Sequence, residues 1–264
     1  MDLTDQQIER YARHIILQDV GGVGQTKLLQ SKVLVVGAGG LGSPLSMYLA
    51  AAGVGRIGLV DDDHVSLSNL QRQIAHTSEA VGRAKVESAA QTLRALNPDV
   101  RLDCHPNRVN SDNVMQLIAD YDVIADGSDN FETRFLLNDA CFFARKTLVS
   151  AAVLRFDGQL STYKPHAGVD HPCYRCVFPE APPPDLIPSC AEGGVLGALV
   201  GVMGSLQATE VIKELLAIGD SMSGRLMIYD GLRAEFRNVR LKPDPNCALC
   251  SDAATIKNLD RQTA

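Results

Sequence analysis

The chain has 264 residues, of which 45% are hydrophobic and 21% charged, with a formal net charge of −6. This length and composition suffice for one large folded domain or two small ones, and the acidic balance argues against a nucleic-acid partner. The N-terminal MDLTDQQIER has no apolar signal core, and the longest apolar stretch, residues 195–206, is too short and glycine-rich to span a bilayer. We therefore expect a cytoplasmic protein with no membrane partner.

The first half of the chain alternates between predicted helices and strands. A helical segment over residues 5–17 comes first, and the apolar runs KVLVVG, RIGLVD, VRLDC and DVIADG then alternate with helix-like segments. This alternation is typical of a doubly wound, mainly parallel sheet. The crossover from residue 37 to residue 61 has the length of one β-α-β unit.

The second half has a different pattern. The runs TLVSAAVL, GQLSTYK, RLMIYDG and AEFRNVRL have strand character, and a helix is predicted over residues 193–217, between the second and third of them. The proline-rich residues 178–190 predict an irregular loop within a domain. We expect a Rossmann-like α/β fold whose sheet is extended by partly antiparallel C-terminal strands.

A glycine-rich turn follows the first predicted strand. Gly37, Gly39 and Gly42 have the spacing G-x-G-x-x-G, and Gly40 lies among them. Such a turn allows close approach of phosphate to a helix N-terminus, and an acid about 20 residues further on, here Asp61, binds the ribose. NAD and ATP share that half of the molecule, so the turn alone does not choose between them.

Polar side chains beyond the turn favour a triphosphate. A triphosphate calls for cationic side chains, which Arg72 and Lys85 supply, with Asn69 and Gln73 as polar neighbours. Taken singly, the cations could be ordinary surface residues and residues 61–63 a solvated turn. Their order at the ends of successive predicted strands favours the nucleotide site.

A third acidic segment, residues 125–130, ends the fourth predicted strand. It offers Asp126 and Asp129 at the carboxyl edge of the sheet, where ligands of this fold bind, so one of them could hold Mg²⁺. Alternatively, Asp126 could cap the N-terminus of the next helix.

Four of the seven cysteines form two C-x-x-C pairs, Cys173 with Cys176 and Cys247 with Cys250. Paired knuckles of this kind are typical of a tetrahedral, structural Zn²⁺ site. Two unrelated thiol pairs or a redox motif are the alternatives, and His171 is a weaker substitute ligand.

The other three cysteines divide into two kinds. Cys104 and Cys141 fall in apolar patterns and are expected in the core. Cys190 precedes a predicted helix start, which would lower the pKa of its thiol. It is interpreted either as a covalent nucleophile or as an ordinary loop residue.

Several linked motifs resemble one known family. They are GAGGLGSP, the run D-x-D-x-V-x-x-S-N-L-x-R-Q at residues 61–73, DGSDN, and CAEGGVLG at residues 190–197. Together they resemble the adenylyltransferases of the MoeB, ThiF and HesA group, bacterial relatives of ubiquitin-activating enzymes. The resemblance extends from RYARHIIL at residues 10–17 to the final cysteine pair.

The resemblance implies a site for ATP and Mg²⁺. Its nucleotide-binding residues would be Gly37, Gly39, Gly40, Gly42, Asp61, Asp63, Ser68, Asn69, Leu70, Gln71, Arg72, Gln73, Lys85, Asp129 and Asn130. Its catalytic residues would be Arg13, Arg72, Lys85, Asp129 and Cys190. Within these sets Asp61 would hold the ribose, Asn69, Arg72 and Lys85 the phosphates, and Asp129 the magnesium ion.

Arg13 matches a family arginine that reaches the ATP of a neighbouring subunit, which implies a homodimer. The segment reads RYARH, where many relatives have serine and glutamine beside that arginine, so the flanking contacts differ. The implied domain is single, residues 1–264, with a helical arm (1–30), a nucleotide-binding half (31–150), a C-terminal half with the zinc knuckles (151–250) and a tail (251–264).

The implied reaction is ATP-dependent adenylylation of the C-terminal glycine, in a Gly-Gly end, of a ubiquitin-like sulfur-carrier protein for molybdopterin or thiamine synthesis. The nucleophile is an ionised carboxylate, so no general base is needed and the six histidines are interpreted as structural or surface residues. We expect no further domain after the tail and therefore a separate sulfur-donor protein. An NAD-dependent oxidoreductase and a non-catalytic scaffold for a ubiquitin-like partner are the alternatives.

Overall fold

The computed structural model describes residues 3–183 and 193–259. Its strands are β1 (Lys32–Val36), β2 (Arg56–Val60), β3 (Arg101–His105), β4 (Val123–Asp126), β5 (Thr147–Leu154), β6 (Asp157–Tyr163), β7 (Arg225–Asp230) and β8 (Glu235–Arg240). The helices of the described residues are α1 (Asp5–Ile15), α2 (Gly21–Gln30), α3 (Gly42–Ala51), α4 (Lys85–Leu96), α5 (Val114–Ala119), α6 (Phe131–Ala144), α7 (Tyr174–Val177) and α8 (Gly197–Leu216). Short 3-10 turns lie at Leu67–Asn69, Ser78–Ala80 and Pro165–Ala167.

All eight strands form one sheet, in the order β3-β2-β1-β4-β5-β6-β7-β8. The five strands from β3 to β5 in that order are parallel, and β6, β7 and β8 continue the sheet antiparallel. This confirms the predicted parallel sheet with its antiparallel C-terminal extension. The chain builds outward from β1 through β2 to β3 and then returns to β4 on the other side of β1, so the topological switch point lies between β1 and β4.

The core lies on both faces of the sheet. In β1, Val33 and Val35 join the cluster that packs against α3, α4 and α8, whereas Leu34 and Val36 join the cluster that packs against α5 and α6. Successive side chains of a strand point to opposite faces, so a strand covered by helices on both sides is apolar throughout. This explains the continuous apolar run that predicted the strand.

Two helix boundaries differ from the predicted ones. The first helix ends at Ile15 rather than at residue 17, and the long C-terminal helix begins at Gly197 rather than at residue 193. At its start, α1 has a capping box, in which Thr4 and Gln7 satisfy each other's backbone N–H groups. Among the described residues, no helix is long and apolar enough to cross a membrane.

Candidate active site

A cavity of about 360 Å³ lies at the carboxyl ends of β1, β2 and β4, at the switch point. Loops that follow neighbouring parallel strands meet at this edge, which is where doubly wound sheets bind their ligands. Ten residues of the predicted nucleotide set line the cavity: Gly37, Gly39, Gly40, Asp61, Asp63, Arg72, Gln73, Lys85, Asp129 and Asn130. The structure thus brings them together, and their individual contacts with a nucleotide stay predictions.

The glycine turn is shaped by close backbone packing. Gly37 has φ +93°, and a Cβ there would lie 2.7 Å from the carbonyl oxygen of Gly127. A Cβ on Gly42 would lie 1.8 Å from the carbonyl oxygen of Gly37. Gly42 does not line the cavity. The absence of a Cβ there lets the first turn of α3 pack directly beneath the loop.

Asp61 ties the glycine turn to the end of β2. Its Oδ2 accepts the N–H of Ala38 at 2.8 Å, and its Oδ1 accepts the N–H of Asp63 at 2.9 Å. Burial raises the pKa of the Asp61 carboxyl, and the Lys85 ammonium, 3.9 Å from Oδ1, opposes that rise. The carboxylate is therefore already held in place for a ligand at the cavity.

Lys85 is a buried cation of the cavity, with 6% of its surface exposed. It is the first residue of α4, and its backbone N–H donates to the carbonyl oxygen of Asp63 at 2.9 Å. Its Nζ lies 2.7 Å from Oδ2 of Asp63, whose side chain is 70% exposed. The ion pair with the exposed Asp63 thus orients Lys85 before any anion binds in the cavity.

Arg72 and Gln73 come from the turn after the 3-10 segment at Leu67–Asn69. The Arg72 guanidinium donates to the carbonyl oxygen of Ser68 at 3.1 Å. Gln73 is 4% exposed, and its Oε1 has no hydrogen-bond partner among the described residues. A buried acceptor without a partner is costly, so this atom indicates a ligand donor in the cavity.

Several predicted nucleotide residues support the turn rather than line the cavity: Ser68, Asn69, Leu70 and Gln71. The Asn69 side-chain oxygen accepts the N–H of Ser66 at 3.2 Å, and its backbone oxygen accepts the N–H groups of Arg72 and Gln73. The Gln71 carbonyl packs against Gly197, where a Cβ would lie 2.2 Å from the oxygen.

The prediction that Asp126 is a metal ligand or a helix cap is wrong. It is fully buried, and its carboxylate accepts bonds from the Ser128 N–H, the Ser128 hydroxyl and the Ser150 hydroxyl at 2.6–3.0 Å. The cap of α6 is Asn130, whose side chain accepts the N–H of Thr133. Of the two aspartates, only Asp129 lines the cavity.

Sequence reasoning missed part of the lining: Asp62, Asn107, Arg108, Val109, Ser128, Thr133, Arg134, Val153, Val195 and Val200. Residues 107–109 follow β3, so the rule that ligands bind at the carboxyl ends of strands would have found them. Arg134 lies inside α6, and nothing local in the sequence distinguishes it from a surface arginine.

A second, larger cavity of about 1030 Å³ adjoins the first. Asp129, Asn130, Arg134 and Val153 line both cavities and form what we call the junction. The larger cavity, hereafter the groove, has an apolar lining from the antiparallel strands, from α7 and from the residue after it: Leu160, Tyr163, Tyr174, Val177, Phe178, Leu226 and Ile228. Charged side chains of Arg155, Asp157, Glu180 and Arg237 also line it.

The four paired cysteines meet in space, with their sulfur atoms all within 4.8 Å of one another. The Sγ–Sγ distance is 3.5 Å for Cys173 and Cys247 and 3.3 Å for Cys176 and Cys250. Bonding to the neighbouring thiols, first that of Cys173, lowers the pKa of Cys247. Four convergent sulfurs suit tetrahedral Zn²⁺. His171 lies outside this cluster and shares a 2.8 Å hydrogen bond with Ser223.

The remaining cysteines separate as expected where they are described. Cys141 is buried in the core, and burial raises the pKa of its thiol. Cys104 is half-buried and packs against the other core cluster. Cys190 lies outside the described residues.

Fold and cavity together define a doubly wound α/β protein with a phosphate-type glycine turn and an adjoining apolar groove. The chain belongs to the ThiF family, whose model matches residues 11–249.

Two curated relatives are similar over almost the whole chain. Adenylyltransferase and sulfurtransferase MOCS3 of Anopheles gambiae is 48% identical over 97% of this chain, which covers 58% of that relative. SAMP-activating enzyme E1 of Haloferax volcanii is 48% identical over 98% of this chain and 96% of its own length. The chain thus spans little more than half the length of the MOCS3 relatives it matches.

Among solved structures, E. coli MccB with ATP has a TM-score of 0.76 and 22% identity, covering 91% of this chain and 74% of its own. At that identity the likeness establishes the fold.

Proposed function

We propose that the protein uses ATP to adenylylate the C-terminal glycine of a ubiquitin-like sulfur-carrier protein. The observation that carries this proposal is the junction, where the cavity with the glycine turn meets an apolar groove of about 1030 Å³ that could take a peptide tail. The relatives named adenylyltransferase and SAMP-activating enzyme support the same class of reaction. Neither they nor the family model favours an oxidoreductase or a scaffold.

In the proposed reaction, an oxygen of the carrier's carboxylate attacks the α-phosphorus of ATP. The bond from that phosphorus to the bridging oxygen breaks, pyrophosphate leaves and an acyl-adenylate forms. The carboxylate is already ionised at neutral pH, so no proton has to be removed. Two anions must approach each other, so Arg72 and Lys85 at the cavity would stabilise the charge on the phosphates.

Asp129 would hold the Mg²⁺ that accompanies ATP, because it is the exposed carboxylate at the junction. The ion, when bound, would offset phosphate charge. The four clustered cysteines would hold a structural Zn²⁺, since their number, sulfur chemistry and mutual distances fit a closed tetrahedral site.

We further propose a homodimer in which Arg13 reaches the partner's cavity, and a single domain with the boundaries predicted from the sequence. Both halves of the chain line the cavity, from Val36 to Val200, which supports the single domain. Sulfur would come from a separate donor protein, in molybdopterin or thiamine synthesis. Cys190, outside the described residues, stays either a covalent acceptor or a loop residue.

The decisive experiment is ATP–pyrophosphate exchange with each candidate carrier, of the molybdopterin and thiamine types. Carrier-dependent exchange is expected for the wild-type protein. Asp129→Ala should reduce exchange at least about a hundredfold while leaving the melting temperature unchanged, because an exposed metal ligand contributes to chemistry rather than to packing.

The matched control is Asp120→Ala, whose carboxylate is 71% exposed beside Arg56 at the opposite edge of the sheet. This control should keep wild-type exchange. Absence of exchange with every carrier would contradict the proposed function, and normal exchange in Asp129→Ala would contradict the assignment of the ligand.

A further inference from the structure

Arg134 is a buried arginine that the proposed chemistry has not used. It lies in α6 with 8% of its surface exposed, and its guanidinium donates to the carbonyl oxygens of Ser128 and Ala151. Those contacts use two of the five N–H groups of an arginine. Within the described ranges, no carboxylate oxygen lies within 4.0 Å of its guanidinium nitrogens.

Two of the carboxylates near it in the chain or across the loop have other partners. Asp126 accepts from Ser128 and Ser150, and Glu132 pairs with Arg108 at 2.7 Å. Arg175 on α7, by contrast, pairs with a carboxylate, since its Nε lies 2.8 Å from Oδ1 of Asp139.

A buried guanidinium without a carboxylate is costly, because a charge taken out of water needs a partner charge. An arginine in this state therefore indicates an anionic ligand. Its two carbonyl contacts join the loop after β4 to β5 and hold the guanidinium in one orientation.

The position of Arg134 indicates which anion it would bind. Arg134 lines both the nucleotide cavity and the groove, so its guanidinium stands where a tail lying in the groove would end. The positive charge of Arg134 also acts on the groove. Burial raises the pKa of Tyr174, which lines the groove, to about 12, and the charge of Arg134 opposes that rise. The phosphate end of the cavity has its own cations in Arg72 and Lys85.

We propose that Arg134 binds the C-terminal carboxylate of the acyl substrate and orients it for attack on the nucleotide. A guanidinium presents paired donors that match the two oxygens of a carboxylate. This inference rests on the proposed function and adds a catalytic residue that contacts the substrate.

The test is a binding cycle with the carrier that supports pyrophosphate exchange, measured by calorimetry without ATP. Two forms of that carrier are compared, one ending in the native carboxylate and one in a carboxamide. Wild-type protein should bind the carboxylate form about tenfold to a hundredfold more tightly, the range for a hydrogen bond to a charged group. Arg134→Gln should bind both forms equally and as weakly as wild type binds the amide.

Two further variants complete the cycle. Arg134→Lys keeps the charge without the paired donors, so it should show an intermediate preference, and it replaces the glutamine variant if that one does not fold. Arg145→Gln changes an exposed arginine just after α6 and should keep the full preference.

The ATP affinity should stay within about twofold of wild type in every variant, because other residues hold the phosphates. An undiminished preference for the carboxylate in the Arg134 variants would overturn the proposal, as would a loss of ATP affinity with the preference intact. If the wild-type protein catalyses pyrophosphate exchange with the same carrier, such a result overturns the role of Arg134 and leaves the proposed reaction standing. Without exchange from any carrier, the proposed function fails and this assignment fails with it.

Discussion

Buried polar residues hold the cavity at the glycine turn in shape. His76 is 6% exposed beneath the glycine turn, where its Nε2 donates to the carbonyl oxygen of Ala38 and its Nδ1 accepts from the Ser88 hydroxyl, both at 2.9 Å. Because a carbonyl can only accept, the proton lies on Nε2. The peptide at Ala38 is thus held on one side by His76 and on the other by Asp61.

His76 predicts a pH dependence of stability. Burial lowers its pKa, so below pH of about 6.5, where an unfolded histidine takes up a proton, the folded state resists protonation. The stabilisation is present above that pH and is lost as pH falls toward the lowered folded pKa. His76→Gln, which keeps a donor for Ala38, should therefore lose less stability between pH 7.5 and 5.5 in urea unfolding than wild type does.

His166, whose pKa burial also lowers, should leave part of the slope in that variant. His64→Gln, at an exposed position, is the control and should follow the wild-type slope. If His76→Gln and wild type lose stability in parallel, His76 does not titrate as its burial predicts.

At the scale of elements, α7 connects the cysteine cluster to the groove. It has four residues, Tyr174–Val177, too few for a helix that is stable alone, so tertiary contacts must hold it. Its Arg175 donates to both oxygens of the fully buried Asp139 at 2.8 Å. The Tyr174 ring packs edge-on against Phe135 and Tyr163, at centroid distances of 5.1 and 5.5 Å. The cysteines that flank these residues thus hold one wall of the groove.

Removing one cysteine tests the metal assignment. Cys247→Ser should lower the zinc content from about one ion per chain to near zero and the melting temperature by roughly 5–10 °C, because a structural zinc site contributes directly to folding. Metal analysis and a thermal melt measure both effects. Cys104→Ser, outside the cluster, should keep its zinc, whereas a metal-free wild-type protein of equal stability would contradict the site.

At the scale of the whole molecule, α1 lies at the opposite end from the cavity. Its Tyr11 accepts a hydrogen bond from Asn97, after α4, and contacts Gly53, after α3. Since α3 begins at the glycine turn and has ten residues, its far end is about 15 Å from the cavity. Arg13, exposed on α1, therefore does not line the cavity of its own chain. Exposed apolar side chains just after α1, on α2 and on α3 suit a contact with a second copy: Ile16, Leu17, Val23 and Tyr48.

Mixing two inactive proteins tests the shared site. Arg13→Ala and Arg72→Ala should each be inactive, and an exchanged equal mixture should recover about a quarter of wild-type activity, because half of the dimers are hybrids with one complete site of two. Pyrophosphate exchange measures the recovery, and native mass spectrometry verifies that subunits exchanged. Hybrid dimers without activity would exclude a contribution of Arg13 across the interface.

The sequence by itself determined the features that depend on local backbone requirements. Continuous apolar runs predicted β1, β2 and β4 because strands covered on both faces are apolar throughout. Glycine spacing predicted the turn after β1, where a Cβ on Gly42 would collide with the chain. The matched C-x-x-C pairs predicted a cluster that forms although its halves are 74 residues apart.

Only the tertiary structure decided which of two neighbouring aspartates lines the cavity. Asp126 ends β4 and Asp129 lies three residues further on. The Ser150 hydroxyl on β5 donates to Asp126, whereas Asp129 lines the junction. Arg134 likewise acquires its place from Ala151 on β5, and the groove from strands more than 60 residues apart in sequence. Burial and charge pairing are properties of the space between elements, so no local pattern in the chain could have predicted them.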